Sequence, residues 1–156
     1  MIATIYGLTL DDKKHPVLMP QKDVVYQNNL TCADNVVQLC NDSMQLSYRA
    51  EEYVIMVATT MKGDILGIFE VSHGTINAAL CNPREIYLRA FVVGAGNIIL
   101  IHNHPSGNCT PSDDDLKTAK RMTAAGKLLG INLLDYIIVG NNNYYSAHDD
   151  STQIDI

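Results

Sequence analysis

Between Asn97 and Gly130 the chain reads as a strand, a tight loop and a long helix in direct succession. Residues 97–104 (N-I-I-L-I-H-N-H) open as an apolar, isoleucine-rich run suited to a strand. Pro105, Ser106 and Gly107 then turn the chain. A helix is predicted from about Ser112 to Leu129, with Gly130 placed to terminate it. Residues i and i+2 of a strand point to the same face, so His102 and His104 project together, spaced to share one small cation. The loop returns the chain so that the start of the helix meets both imidazoles, and Asp115, one turn in, supplies a hard oxygen. Two histidines and one carboxylate leave a fourth tetrahedral position for water, the arrangement of a catalytic rather than a structural zinc site.

Each residue has a plainer reading. Two histidines two apart are a weak signal alone. Ser112 and Asp115 also fit a capping box, with serine at the N-cap and an acid three residues later. Thr110-Pro111 could start the helix instead, leaving Ser112 free. The combination of same-face histidines, a tight turn and a helix-borne carboxylate within 14 positions is hard to explain as packing and capping together.

The rest of the chain alternates strands and helices, the pattern of an α/β layered domain. Residues 1–30 are polar and broken by His15-Pro16 and Pro20, and read as an extended arm with a strand at residues 22–26. Thr31 and Asp34 resemble a capping box opening a helix through Val36, Leu39, Cys40 and Met44. Y-V-I-M-V-A-T at residues 53–59 suits a strand buried on both faces, and the M-K-G-D turn leads to a second strand at residues 65–71. Asn82-Pro83-Arg84-Glu85 starts a helix that runs to about Val93 and ends in Gly94-Ala95-Gly96. Strands at residues 133–139 and 144–147 flank a G-N-N-N turn, and the tail is expected to fray. The predicted organisation is an arm (1–30), one domain (31–149) and a tail (150–156).

Composition narrows the function. At 156 residues with 47% hydrophobic and 18% charged, this is an ordinary globular composition of one-domain length. A net charge of -6 disfavours stand-alone, sequence-independent nucleic-acid binding by the isolated domain. The N-terminus has no basic region before its apolar residues, and the longest apolar stretch is too short to span a bilayer, so a cytoplasmic protein with no membrane partner is expected. Cys32, Cys40, Cys81 and Cys109 form no C-x-x-C pair and read as reduced and structural. A homo-oligomer is compatible with all of this.

H-x-H, seven residues, then S-x-x-D resembles the JAMM/MPN+ metallopeptidase motif without a gap. H-N-H-P-S-G with the downstream T-P-S-x-x-D is similar to the RadC branch of that superfamily, as are G-T-I-N-A-A and N-P-R-E-I within residues 74–86 and L-L-D-Y-I-I-V-G at residues 133–140. The resemblance implies a JAB/MPN-like (cytidine-deaminase-like) layered α/β domain, a mixed β-sheet flanked by helices. It implies one Zn²⁺ ion held by His102, His104 and Asp115, with Ser112 hydrogen-bonding the tetrahedral intermediate during hydrolysis of a peptide or isopeptide substrate. The family's general base is a glutamate on an upstream strand, and Glu70 in I-L-G-I-F-E-V stands where it belongs. Glu70 is also singled out by its surroundings, as the only acid inside an otherwise apolar strand. The alternative is an edge position with Glu70 facing water. Glu51, Glu52 and Glu85 are poorer candidates, lying before a strand or at a helix start.

Two features depart from the RadC pattern. Tyr136 stands where L-D-H is common, which leaves the metal ligands intact but puts any role of that histidine in doubt. The helix-hairpin-helix region of longer RadC proteins has no counterpart, so a short form is expected. The rival reading is a non-catalytic zinc-containing binding or scaffold module associated with DNA repair or processing. A zinc deaminase is excluded by the missing H-x-E and P-C-x-x-C, and a (β/α)₈ hydrolase needs about 250 residues. His15, His73 and His148 are expected at the surface, and Cys109 away from the metal.

Overall fold

The computed structural model describes residues 1–74 and 81–150. Among them the strands are β1 (Ile2–Leu10), β2 (Pro16–Val25), β3 (Tyr53–Thr59), β4 (Ile65–His73), β5 (Asn97–Asn103), β6 (Asn132–Val139) and β7 (Tyr144–Ser146). The helices are α1 (Ala33–Met44), α2 (Pro83–Val93) and α3 (Asp113–Leu129), with a 3-10 turn at Leu46–Tyr48. The strands form one mixed sheet in the order β2-β1-β4-β3-β5-β6-β7. β1 runs parallel to β4, and β5 parallel to β6; the other neighbours are antiparallel. This is the mixed α/β architecture of a JAB/MPN-like domain, as the resemblance implied.

Alternation along the strands divides the core into two layers. Ile5, Ile55, Val57, Ile68, Ile101 and Ile137 face α1, which contributes Ala33, Val36, Leu39 and Cys40. Met56, Phe69, Leu100 and Ile138 face α2 and α3, which contribute Ile86, Ala90, Ala119 and Met122. Both β3 and β5 lie inside the sheet. All seven residues of β5 are buried, which explains why its sequence is apolar until the histidines.

The helices follow their sequence signals at the ends. Gly94 and Gly130 close α2 and α3 in the left-handed conformation, with φ of 70° and 74°. At the start of α1 the expected Thr31–Asp34 box is not formed. Cys32 is the N-cap, without a side-chain bond, and Asp34 sits in the first helical turn where the helix dipole favours an acid.

The N-terminal thirty residues require a larger correction. They form a hairpin built into the sheet instead of an extended arm, with Ala3, Ile5 and Val24 in the core. β1 pairs with β4 through Ile5↔Ile68 and Tyr6↔Phe69. Pro16 and Pro20, which read as strand breakers, are tolerated because β2 is the outermost strand and Pro20 sits beside a register shift at Ile5/Tyr6. The G-T-I-N-A-A resemblance after Gly74 and the tail after Asp150 lie outside the described residues. No helix among the described residues is long and apolar enough to cross a membrane.

β5, α3 and β6 make a parallel crossover, and the C-terminal end of β5 therefore faces the N-terminus of α3 across a short loop. That juncture is where ligands gather in open α/β sheets.

Deleting residues 1–26 should lower the free energy of unfolding by about 3 kcal/mol or more, since three core side chains are lost and β4 becomes an unpaired edge. An unchanged urea midpoint would show that the hairpin is dispensable.

Candidate metal centre

His102 is 5% exposed at the end of β5, and its even-numbered position turns it to the α2/α3 face with Ile98 and Leu100. The pairing with β6 continues one residue past the strand through His104 N–H to the Val139 carbonyl, 2.9 Å, which keeps His104 in register with His102. The chain then turns at Gly107, whose φ of 81° suits glycine, and whose carbonyl accepts from Asn141 N at 2.9 Å. The loop is thus tied to the β6–β7 turn.

Asp115 meets both imidazoles. Its Oδ1 lies 3.1 Å from His102 Nε2, its Oδ2 lies 3.4 Å from His104 Nε2, and the two Nε2 atoms are 3.1 Å apart. The capping box is also present. Ser112 Oγ accepts from Asp115 N at 3.2 Å, and Asp115 Oδ2 accepts from both the Ser112 N–H, at 2.8 Å, and the Ser112 hydroxyl. Capping and convergence on the histidines therefore occur together at Asp115. The N-cap locks the rotamer that aims the carboxylate at the histidines.

The donor set fits a divalent cation. Ligand atoms about 2.0–2.1 Å from a tetrahedral centre lie about 3.4 Å apart, close to the spacings found here. His104 Nδ1 lies 2.7 Å from the Asn108 carbonyl, an acceptor only, so this nitrogen carries hydrogen and the neutral ring turns its Nε2 lone pair towards His102 and Asp115. Lone pairs converging with a carboxylate repel unless a cation or a proton lies among them. The pKa shifts express the same demand. The bond to Asp115 raises the His104 pKa, although burial opposes it. Burial pushes the Asp115 carboxyl up, but the bonds from His102, His104 and Ser112 outweigh it and hold the group well below the usual carboxylate range.

Tyr136 lies behind Asp115. It is buried, its ring centroid is 5.3 Å from that of His102, and its hydroxyl donates to Asp115 Oδ1 at 3.4 Å. Burial, and then the Asp115 charge, hold its pKa well above that of free tyrosine, so it is a neutral donor. Its neighbour Asp135 is also buried, accepting from Ser146 Oγ at 2.7 Å and from the backbone N–H groups of Tyr136 and His148. It fastens β7 to β6 and takes no part in the cluster.

Glu70 is not near this cluster. It pairs with Ile55 and follows Ile68 by two, which places it on the α1 face, opposite His102. Its side chain is 39% exposed and lies 3.3 Å from His73 Nδ1. β4 is not an edge strand, so Glu70 reaches water from an interior strand, beyond the apolar part of its face.

Glu52 is an acid whose charge does reach the cluster. Val54 pairs with His102 at the end of the ladder, and Glu52, two residues earlier and just before β3, continues the alternation that puts Val54 on the face of the histidines. It is half-buried, and its charge acts on both His104 and Tyr136. What holds it there is Asn103, the residue between the histidines. Asn103 is 1% exposed; its Oδ1 accepts from Tyr53 N at 2.8 Å, and its Nδ2 donates to the carbonyls of Glu51 and Arg49 at 3.0 and 3.2 Å. Counting back in twos from the apolar Val54 was the signal for Glu52; nothing local announces Asn103.

A profile of the RadC-like JAB domain family matches residues 30–152. The chain belongs to that family. Among relatives of the RadC-like JAB domain, a UPF0758 protein of Alkaliphilus metalliredigens (strain QYMF) is 41% identical over 118 residues, 76% of this chain and 50% of that protein. A UPF0758 protein of Caldanaerobacter subterraneus subsp. tengcongensis is 37% identical over 121 residues, 78% of this chain and 51% of that protein. The chain spans about half the length of the curated relatives it matches. Its JAB domain holds one histidine, histidine and aspartate group that could bind a metal ion among the described residues, with no cysteine in it. His15, His73 and His148 are exposed, as expected.

Two outcomes follow for the metal-free protein. Its His104–Asp115 pairing stabilises the fold above the unfolded pKa of aspartate and below the raised pKa of His104. Stability should therefore fall as pH rises from about 6.5 through that raised value, and again in acid, while His104→Gln removes the alkaline limb; urea titrations across pH read both. Asn103→Ala strands one N–H and two carbonyls and should cost about 2–3 kcal/mol in the same assay, with the metal stoichiometry unchanged.

Proposed function

We propose that this RadC-like JAB domain is a zinc-dependent hydrolase of amide or isopeptide bonds. The observation that carries the reading is the convergence of His102, His104 and Asp115 with a half-buried Glu52 on the same face. His102, His104 and Asp115 would hold the ion. Bound zinc lowers the pKa of water from 15.7 towards about 7 and polarises a carbonyl oxygen.

The remaining work falls to the chain. Glu52, whose charge acts on His104, accepts a proton from the attacking water and returns it to the leaving amine. Asn103 keeps Glu52 in that position by fastening the backbone on either side of it. The Asn108 carbonyl fixes the His104 tautomer. The hydroxyl of Ser112 is committed to Asp115, so its first role in this geometry is to hold the ligand carboxylate; donation to an oxyanion requires that bond to open. Tyr136 covers the inner side of Asp115 and excludes water there.

Purified protein should contain one zinc ion per chain. Glu52→Gln should keep that ion and lose turnover by about 10²–10⁴-fold on any amide substrate of the unaltered protein, whereas Glu70→Gln should leave turnover within about twofold. Loss of activity in the Glu70 variant with full activity in the Glu52 variant would reverse the assignment. A zinc-loaded chain that cleaves no peptide or isopeptide substrate would favour a non-catalytic binding module.

A further inference from the structure

A cleft of about 560 Å³ runs along the ends of β5 and β6 from His104. One wall is the Pro105–Gly107 loop with the β6–β7 turn, and the other is α1 with Ser47, Tyr48 and Arg49. His104 is common to the cleft and the ligand cluster. Among the described residues lining it, Arg49 and Asp34 carry the fixed charges, and Asp34 lies against the Tyr144 hydroxyl. Arg49 is held in place without losing its fork. Its Nε donates to the Met44 carbonyl at 3.0 Å, and its guanidinium carbon lies 4.8 Å from the Tyr53 ring centroid. Its own carbonyl is fastened to β5 by Asn103. The tether that positions Glu52 therefore also positions Arg49.

A planar guanidinium stacked on an aromatic ring, bonded through Nε and, among the described residues, open at its terminal nitrogens, is suited to two parallel bonds to a carboxylate. The cleft is polar, lined by the asparagines of the β6–β7 turn, and fits extended peptide better than an apolar ligand. Resting on the amide-hydrolase reading, we infer that this cleft is a substrate subsite for a carboxylate-bearing peptide, with Arg49 as the anchor that presents the amide to Glu52 and His104. Arg49 sets specificity and takes no part in the chemistry. The carboxylate could come from a chain terminus or from an acidic side chain.

The test is calorimetric titration of the zinc-loaded chain with four acetylated alanine pentapeptides. One has a free C-terminus, one a C-terminal amide and an internal glutamate, one has both carboxylates, and one has neither. At least one peptide with a single carboxylate should bind tenfold or more tightly than the neutral peptide, and which one identifies the source. Arg49→Gln should remove that preference, and Arg49→Lys should retain part of it, with circular dichroism unchanged in both. Equal binding of all four peptides, or a preference that survives Arg49→Gln, overturns the assignment. Because binding is read without turnover, acidic peptides that bind while no peptide or isopeptide substrate is cleaved would sink the hydrolase and keep the subsite. Cleavage indifferent to charge would do the reverse.

Discussion

A single carboxylate joins the two halves of this site. Asp115 closes the N-terminal cap of α3 through Ser112 and faces the two histidines at the end of β5. A free aspartate beside two imidazoles would sample rotamers and solvent. Capping removes that freedom, since Oδ2 is already bonded to the Ser112 N–H and hydroxyl. The start of α3 and the end of β5 are thereby fixed relative to each other, and the acidic first turn of the helix, Asp113 to Asp115, suits the dipole as well.

Around that junction the sheet acts as a rigid mount. β5 is buried along its whole length between β3 and β6, so the direction of His102 is set by packing on both sides. Asn103 between the histidines turns to the other side of the strand and binds the segment that leads into β3. A strand residue with three satisfied bonds in the core both stabilises and positions, because leaving any of these groups unpaired costs more than the bond itself contributes. The segment it holds carries Glu52 and Arg49, so one buried amide fixes a candidate base and a candidate anchor relative to the candidate metal ligands.

The departure at position 136 is accommodated within the same scheme. A tyrosine, buried and neutral, reaches the back of Asp115, and its ring lies against His102. The adjacent Asp135, which the L-D-Y string placed beside it, serves the fold by pinning β7.

Much of this protein was legible in its sequence. The spans of β3, β5, α2 and α3, the glycine stops and the grouping of His102, His104 and Asp115 follow from local signals: periodicity, caps, and a loop too short to let β5 and α3 diverge. What the sequence concealed has a common cause. The N-terminal hairpin, the side to which Glu70 points and the positions of Glu52 and Asn103 all depend on which strands become neighbours and in what register. Glu70 keeps the parity of Ile68 and so shares the face of Ile55, but which face of the sheet carries the histidines is set by the pairing of β3 with β5 and cannot be read from either chain segment alone. Local chemistry brought together the candidate metal ligands; long-range pairing chose the carboxylate whose charge reaches them.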